Sequence, residues 1–316
     1  MKFSIIIVNY NTTDFLKNCL DSILSKPFHS EFEILAVDNN SDDGKFSKLK
    51  DEYLNIKMFE RKVNDGFGAG CNFGASKAIG KYLIFLNPDT VVCIDDFIKM
   101  ADVLECNHDI GVISPVFTDF NGIPVYSYNK FPNFEWEFNE FLGKGNDKVE
   151  KRLMSDKRIL EKSAEPMRVD WVSGACLMIR TDLFRKLNGF DENYFLYYED
   201  TDLQYRAKKE GSSSALLPNI TVKHFVNSSV KSDEGENVYY YHLNRSKMIF
   251  FYNNYNFIKR NIFRLLAISG IILRITALNF RKRYSEKKNK KYKQYIRSLN
   301  IYLSGRNKLL KSKLSY

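Results

Sequence analysis

Apolar runs of strand length punctuate the first third of the chain, with helical patterns between them. Phe3–Val8, Phe32–Val37, Tyr82–Leu86 and Ile110–Phe117 are short and almost unbroken by polar residues, as in strands covered on both faces. Ile56–Glu60 predicts a further strand. Phe15, Leu16, Cys19, Leu20, Ile23 and Leu24 recur at helical spacing, and a second helix is expected near Ile94–Glu105. Strands alternating with helices predict an α/β fold with a parallel sheet and right-handed crossovers. Asn121-Gly122 suits a hairpin turn. The pattern then weakens. A loop or lid is expected over 131–165, with helix only around Val149–Leu160. Regularity returns with a strand over Trp171–Arg180, a helix over Thr181–Leu187 and another over Glu199–Glu210. The first-turn acids of that last helix favour its dipole, and Gly211 ends it. Leu216–Phe225 is the last expected strand and carries His224.

Beyond residue 235 the chain turns aromatic and basic. Ile262–Phe280 is apolar at helical length but interrupted by Arg264 and Arg274. Arginines 260, 264, 274 and 281 fall on about one third of the helical wheel. Two arginines inside a span are costly, whereas a helix lying in the membrane plane accommodates them along one edge. A bundle helix with a solvated basic tail is the plainer alternative. Net charge is +10, yet residues 281–316 hold 13 Lys and Arg against one acid, Glu286. Basicity therefore belongs to the tail, and an anionic membrane surface met through 262–316 is its expected partner. The five cysteines are scattered with no CxxC, which fits a reducing compartment and argues against a disulfide frame or a zinc site. The N-terminus lacks the pattern of a signal peptide.

The chemistry gathers where strands end. Asn87-Pro88-Asp89 stops the Tyr82–Leu86 strand, because Pro88 cannot donate to a ladder. Asp89 then lies beyond the carboxyl end of a central strand, where ligands bind in open α/β sheets. Asp38 follows the second strand, and Glu199-Asp200 opens a helix. Singly, each has an ordinary reading as a cap or a helix-start acid. Together, on alternating elements, they make a site the better reading.

Seven stretches in order, SIIIVNYN, AVDNNSDDG, NDGFGAGCNFG, FLNPDT, WVSGACLMIR, GFDENYFLYYEDTDLQYRAKKEG and VKHFVNSS, resemble the family 2 glycosyltransferases over about residues 3–230. The resemblance is greatest to the rhamnosyltransferase-like branch. It implies an inverting enzyme of GT-A fold: a Rossmann-like, mostly parallel sheet flanked by helices, here with a helical, basic C-terminal extension. Residues 1–230 would form the catalytic domain, with 1–117 as the nucleotide-sugar half and 118–230 as the acceptor half. Residues 231–316 would associate with the membrane.

The resemblance also suggests roles. Val8, Asn9, Tyr10, Asn11 and Asp38 would hold base and ribose, with Asn64, Gly68, Asn72 and Asn87 beside the nucleotide sugar. Asp89 would ligate Mg²⁺ or Mn²⁺ at the diphosphate, with His224 as second ligand. A histidine ligand tilts the choice towards Mn²⁺. Asp200 would be the general base, with Glu199 its rival. Trp171, Gly174, Asp191 and Tyr197 would line the acceptor pocket, and Arg206 is expected in a structural ion pair. The implied partners are a nucleoside diphosphate sugar (dTDP-rhamnose or a UDP-sugar) and a lipid-linked or polysaccharide acceptor. The implied place is cytoplasmic, peripheral on the inner face of the cell membrane, in surface glycan assembly. Two rivals are a nucleotidyltransferase and a noncatalytic sheet with a nucleic-acid-binding tail. Val8–Asp14 has no Lys or Arg to grip phosphate, which disfavours the first, and no nucleic-acid partner is expected.

Overall fold

A computed structural model describes residues 2–26, 32–125, 127–142, 165–225, 233–280 and 286–311. In chain order the elements are β1 (Phe3–Asn9), α1 (Thr13–Ile23), β2 (Phe32–Asp38), α2 (Phe46–Glu52), β3 (Lys57–Glu60), α3 (Phe67–Lys77), β4 (Tyr82–Leu86), β5 (Thr90–Val91), α4 (Ile94–Cys106), β6 (Ile110–Thr118), β7 (Tyr128–Asn129) and α5 (Phe134–Phe141). They continue with β8 (Met167–Val169), β9 (Trp171–Val172), β10 (Cys176–Arg180), α6 (Thr181–Lys186), α7 (Glu199–Lys209), β11 (Ser213–His224), α8 (Asp233–Asn254), α9 (Phe257–Phe280), α10 (Glu286–Leu303) and α11 (Arg306–Lys311). The chain divides into two compact units. Met1–Phe131, Ser155–Glu192 and Glu199–Ser228 form one; Pro132–Met154, Asn193–Tyr198 and Ser229–Tyr316 form the other.

The first unit is built on a sheet of order β3-β2-β1-β4-β10-β6-β11-β5, with β8 added against β11. Alternate residues of the central strands go to opposite faces. Ile5, Ile7, Ile84 and Leu86 meet Leu16 and Leu20 of α1 and Phe97 of α4. Ile6, Val8, Leu83 and Phe85 meet Phe184, Phe190 and Leu203. Both faces being covered, the strands read as continuous apolar runs.

β1, β2, β3 and β4 pair in parallel, as alternation predicts. β10 departs from that pattern: it lies antiparallel between β4 and β6. Its amino end therefore sits beside the carboxyl end of β4, with Cys176 opposite Leu86. The expected strand over Trp171–Arg180 is two, β9 and β10, parted by Ser173 and a turn at Gly174 and Ala175. The last strand also begins earlier than its pattern suggests, at Ser213. Asn121-Gly122 does make a tight turn, with Gly122 at φ 78° and Thr118 bridged to Pro124.

The second unit is helical. The stretch expected as a loop or lid contains α5, whose first turn is capped by the Asn133 side chain accepting from Trp136 N at 2.9 Å. The helix expected around Val149–Leu160 lies outside the described residues. α9 packs on α5 and α10, and α8 on α10 and α11. α9 begins five residues before its expected start, and two of the four arginines expected along its edge reach helix ends, while Arg281 lies outside the described residues. Arg264 reaches the carbonyls of Tyr302 and Leu303, the latter at 2.9 Å, and Arg274 reaches that of Glu140. Those carbonyls end α10 and α5, where helices leave acceptors unpaired and favour cations. α9 leaves Ile258, Ile262, Leu265, Ile272, Leu273 and Phe280 exposed. By length and composition it could cross a membrane.

Candidate active site

The turn after β4 is held from two sides. Asn87 N donates to Ala175 O at 2.9 Å, and Thr90 Oγ1 to Asn87 O at 2.8 Å. β5 then pairs with the end of β11, setting His224 opposite Thr90, while Phe225 N donates to Asp89 O at 2.9 Å. This register brings two residues 135 positions apart into contact: His224 Nε2 lies 3.2 Å from Asp89 Oδ1, both side chains partly exposed. An imidazole nitrogen and a carboxylate oxygen side by side are a donor pair for a divalent cation that keeps positions for water and phosphate oxygens. Among the described residues no cluster of three or more His, Cys, Asp or Glu is placed to hold a metal.

The same short segment holds the second acidic site. Gly174 N donates to Asp200 Oδ2 at 2.8 Å, next to the Ala175 carbonyl that holds Asn87. Thr201 N and Oγ1 donate to Asp200 Oδ1 at 2.6 and 3.2 Å. A Cβ at Gly174 would fall 3.2 Å from both Asp200 Cβ and Oδ2, so the approach needs glycine. Gln204, fully buried one turn on, works as a missing strand partner. Its Oε1 accepts from Val172 N at 2.8 Å, and its Nε2 donates to Val172 O at 2.7 Å and Asp200 O at 3.0 Å. One amide thus fastens the start of α7 to β9.

Glu199 differs from its neighbour. It is 5% exposed, and its Oε2 has no hydrogen-bond partner among the described residues. Burial, then the charge of Asp200, pushes its pKa up to about 8. Burial also raises Asp200, but the N–H groups of Gly174 and Thr201 counter it there. In this coupled pair the proton belongs on Glu199 and the charge on Asp200 at neutral pH.

The predicted nucleotide-binding residues converge at the ends of β1 and β2. Asp38 is buried, and Oδ1 accepts from Asn9 Nδ2 at 2.7 Å and Ser41 Oγ at 2.6 Å, while Oδ2 accepts from Ser41 N at 2.8 Å. Asn11, at φ 54°, donates its N–H to Ser41 Oγ at 2.8 Å and accepts from Asp42 N at 2.9 Å. Ser41 thus ties both loops together; in sequence it is one polar residue in a polar turn. Tyr10 is about half exposed beside them. Asn64 Oδ1 accepts from Gly66 N at 3.0 Å and Asn39 Nδ2 at 3.3 Å.

The glycines of α3 serve packing. A Cβ at Gly70 would lie 2.8 Å from Val8, one at Gly74 2.5 Å from Ile6, and one at Gly68 3.1 Å from Phe190. Asn72 exchanges both amide bonds with the Phe190 backbone, each at 2.9 Å, and reaches Glu192 at 3.0 Å. Its amide therefore fixes the loop carrying Asp191, which is half-buried. Trp171 donates Nε1–H to Lys130 O at 3.0 Å. Tyr197 belongs to the helical unit, in the left-handed region at φ 66° with its ring edge-on to Tyr239. Arg206 is structural, as expected: it pairs with Asp202 at 2.7 Å and donates to the carbonyls of Leu187 and Gly189.

A doubly covered α/β sheet with acidic groups beyond its strand ends is the architecture of GT-A glycosyltransferases. The structure superposes on the mannosyltransferase PcManGT from Pyrobaculum calidifontis, solved with GDP-Man and Mn²⁺, with a TM-score of 0.56 over 95% of this chain and 85% of that one, at 12% identity. The sequence model described as Glycosyl transferase family 2 matches residues 4–187, and the chain belongs to that family. It is an enzyme, a glycosyltransferase. Its sequence is similar to the N-acetylglucosaminyl-diphospho-decaprenol L-rhamnosyltransferase of Mycobacterium tuberculosis, 26% identical over 75% of this chain and 80% of the relative. It is also similar to the rhamnosyltransferase WbbL of Escherichia coli, 26% identical over 72% and 85%.

Proposed function

We propose that this enzyme moves a sugar, with rhamnose the first candidate, from a nucleoside diphosphate to a lipid-linked or polysaccharide acceptor, with inversion. The observation that carries the reading is the Gly174-Ala175 backbone, which holds Asp200 on one side and the Asp89 turn on the other. Asp200 takes the proton of the acceptor hydroxyl as the new glycosidic bond forms and the bond to the diphosphate breaks. Glu199, neutral beside it, keeps the charge of the pair on Asp200. Asp89 and His224 would hold Mg²⁺ or Mn²⁺, which offsets charge gathering on the leaving diphosphate. The loops tied by Asp38 and Ser41 receive base and ribose; Trp171, Gly174 and Asp191 face the acceptor side of the reaction. Residues 1–230 are the catalytic domain in this reading, with 1–117 serving the donor and 118–230 the acceptor.

The two rhamnosyltransferase relatives, one named for a diphospho-decaprenol substrate, support a rhamnosyl donor and a lipid-linked acceptor in surface glycan synthesis. Such an acceptor lies at a membrane. The exposed stripe of α9 and the basic residues of 281–316 suit attachment to the anionic cytoplasmic face.

The test is a thermal-shift series with UDP, dTDP, GDP and CDP, each with Mn²⁺, Mg²⁺ or EDTA. A ligand at 100 times its Kd stabilises the native state by about 2.7 kcal/mol, a shift of several degrees. Stabilisation by dTDP or UDP that EDTA removes is expected. A folded sample that no nucleotide stabilises would overturn the reading.

A further inference from the structure

The helical unit forms a half-open cavity of about 440 Å³ among α5, α8, α9 and α10. That is the size of a small-molecule site, and helix bundles are a recurrent place for one. Its wall is not that of a packing defect. Leu266, Ala267 and Ile271 of α9 form an apolar side. Opposite them runs a hydrogen-bonded polar set: Tyr302 Oη donates to Asn244 Oδ1 at 2.9 Å, and Asn244 Nδ2 donates to Ser298 Oγ at 3.1 Å. Gln294 and Tyr295 line the same side from α10. Glu137, 2% exposed, also lines the cavity, and its Oε1 has no hydrogen-bond partner among the described residues. A polar space this large holds water, which a polyhydroxylated molecule can replace group for group.

The charged groups of the wall are largely held by partners within the protein. Lys247 is committed to Glu137 and Glu140 at 2.6 and 2.7 Å, and Arg274 to the Glu140 carbonyl. Lys291 adds one further cation to a lining that already holds two carboxylates. Amides, hydroxyls, a carboxylate oxygen with spare acceptor capacity, tyrosine rings and an apolar floor are the groups that bind a sugar: hydroxyls at the edge, C–H faces on rings and aliphatic carbons.

We propose that this cavity is a carbohydrate subsite that takes one pyranose ring of the acceptor glycan. It rests on the glycosyl-transfer reading for the source of that ring, and is formed wholly from residues of the helical unit. α9 thus has two roles, its outer stripe for lipid and its Leu266–Ile271 side for sugar.

Methyl glycosides of rhamnose, glucose and N-acetylglucosamine, added at millimolar concentration to the full chain, test this by saturation-transfer NMR. At least one should show binding. Tyr295→Ala and Gln294→Ala, both at partly exposed positions, should each weaken it by about fivefold to tenfold, the worth of one ring face or one hydrogen bond. Trp171→Ala should leave it intact, and nucleotide stabilisation should be unchanged in both α10 variants. No binding by any glycoside, binding indifferent to both α10 variants, binding lost in Trp171→Ala, or displacement by inorganic pyrophosphate would each overturn the proposal. Failure of the glycosyl-transfer reading shows separately, as loss of the nucleotide shift with the glycoside signal intact.

Discussion

Two adjacent carboxyls, Glu199 and Asp200, share a sequence context and differ entirely in surroundings. Asp200 accepts three hydrogen bonds and is partly exposed; Glu199 is buried with an oxygen left unpaired. The pair therefore divides its labour, one member charged and one neutral. Asp200→Asn should lower kcat by about 10³-fold, within the span attributed to a general base, while donor affinity stays within about twofold. Equal loss of turnover and donor binding, measured by initial rates and nucleotide titration, would recast Asp200 as a binding residue. Glu199→Gln should retain most of the activity. Its stability has a definite sign. The folded-state pKa of Glu199 lies above the ordinary glutamate value of 4.5, at about 8. The native state thus holds this proton more tightly than the unfolded chain does. The contribution is fully present below pH 4.5 and is lost as pH rises through about 8. The variant has no such loss. Its melting temperature should gain on that of the unmodified enzyme across this window and level off above it, by at most a few kcal/mol at about 1.4 per pH unit. A gain that instead grows towards acid pH would refute the assignment of the proton.

At the scale of elements, the strands, the α/β class and the acids beyond strand ends were legible because each is a local pattern. Val8, Asp38, Asp89 and Asp200 all sit at the boundaries their neighbours dictate. What was not legible depends on pairing between distant segments. Nothing local in Cys176–Arg180 shows that it runs against β4, yet that reversal places Gly174 and Ala175 beside both acidic sites. His224 meets Asp89 only through the β11–β5 register, and only the resemblance to known enzymes suggested it. Asn72 offers a hydrogen-bonding amide in any polar context; the fold spends it on Phe190. Gln204 gave no signal at all, being one polar residue in a helix, and is the staple between α7 and β9. Gln204→Met keeps the shape and leaves the Val172 N–H and C=O unpaired. Each buried orphan costs about 1–3 kcal/mol, so the melting temperature should fall. As a positioning residue, Gln204 should also cost kcat about tenfold with donor KM unchanged. A fall in stability with kcat intact would reduce it to a structural tie.

For the whole molecule, the decisive asymmetry is that α9 turns Arg264 and Arg274 to helix ends and shows its carbons. In the membrane-attachment reading the apolar stripe meets lipid, and the electrostatic part falls to the basic residues after it. The two contributions separate with salt. Screening at about 1 M shortens the Debye length to about 3 Å and removes the attraction to anionic headgroups, but leaves burial of apolar side chains in place. Ile262, Leu265 and Leu273 are 42%, 62% and 55% exposed. Burying the rest of three such side chains is worth about 3–5 kcal/mol in all, or about 10²–10³ in partitioning. The triple change to serine touches solvent-facing positions and should leave the melting temperature near its starting value. Co-sedimentation with phosphatidylglycerol-containing vesicles should then fall by that factor at low salt and vanish at 1 M NaCl. The unmodified enzyme should weaken with salt but persist. Alkaline carbonate should release it from membranes, the outcome expected of a helix that keeps its arginines in the bundle and lies in the interface. Resistance to carbonate would mean that α9 spans the bilayer and that both arginines leave the carbonyls of Leu303 and Glu140 to do so.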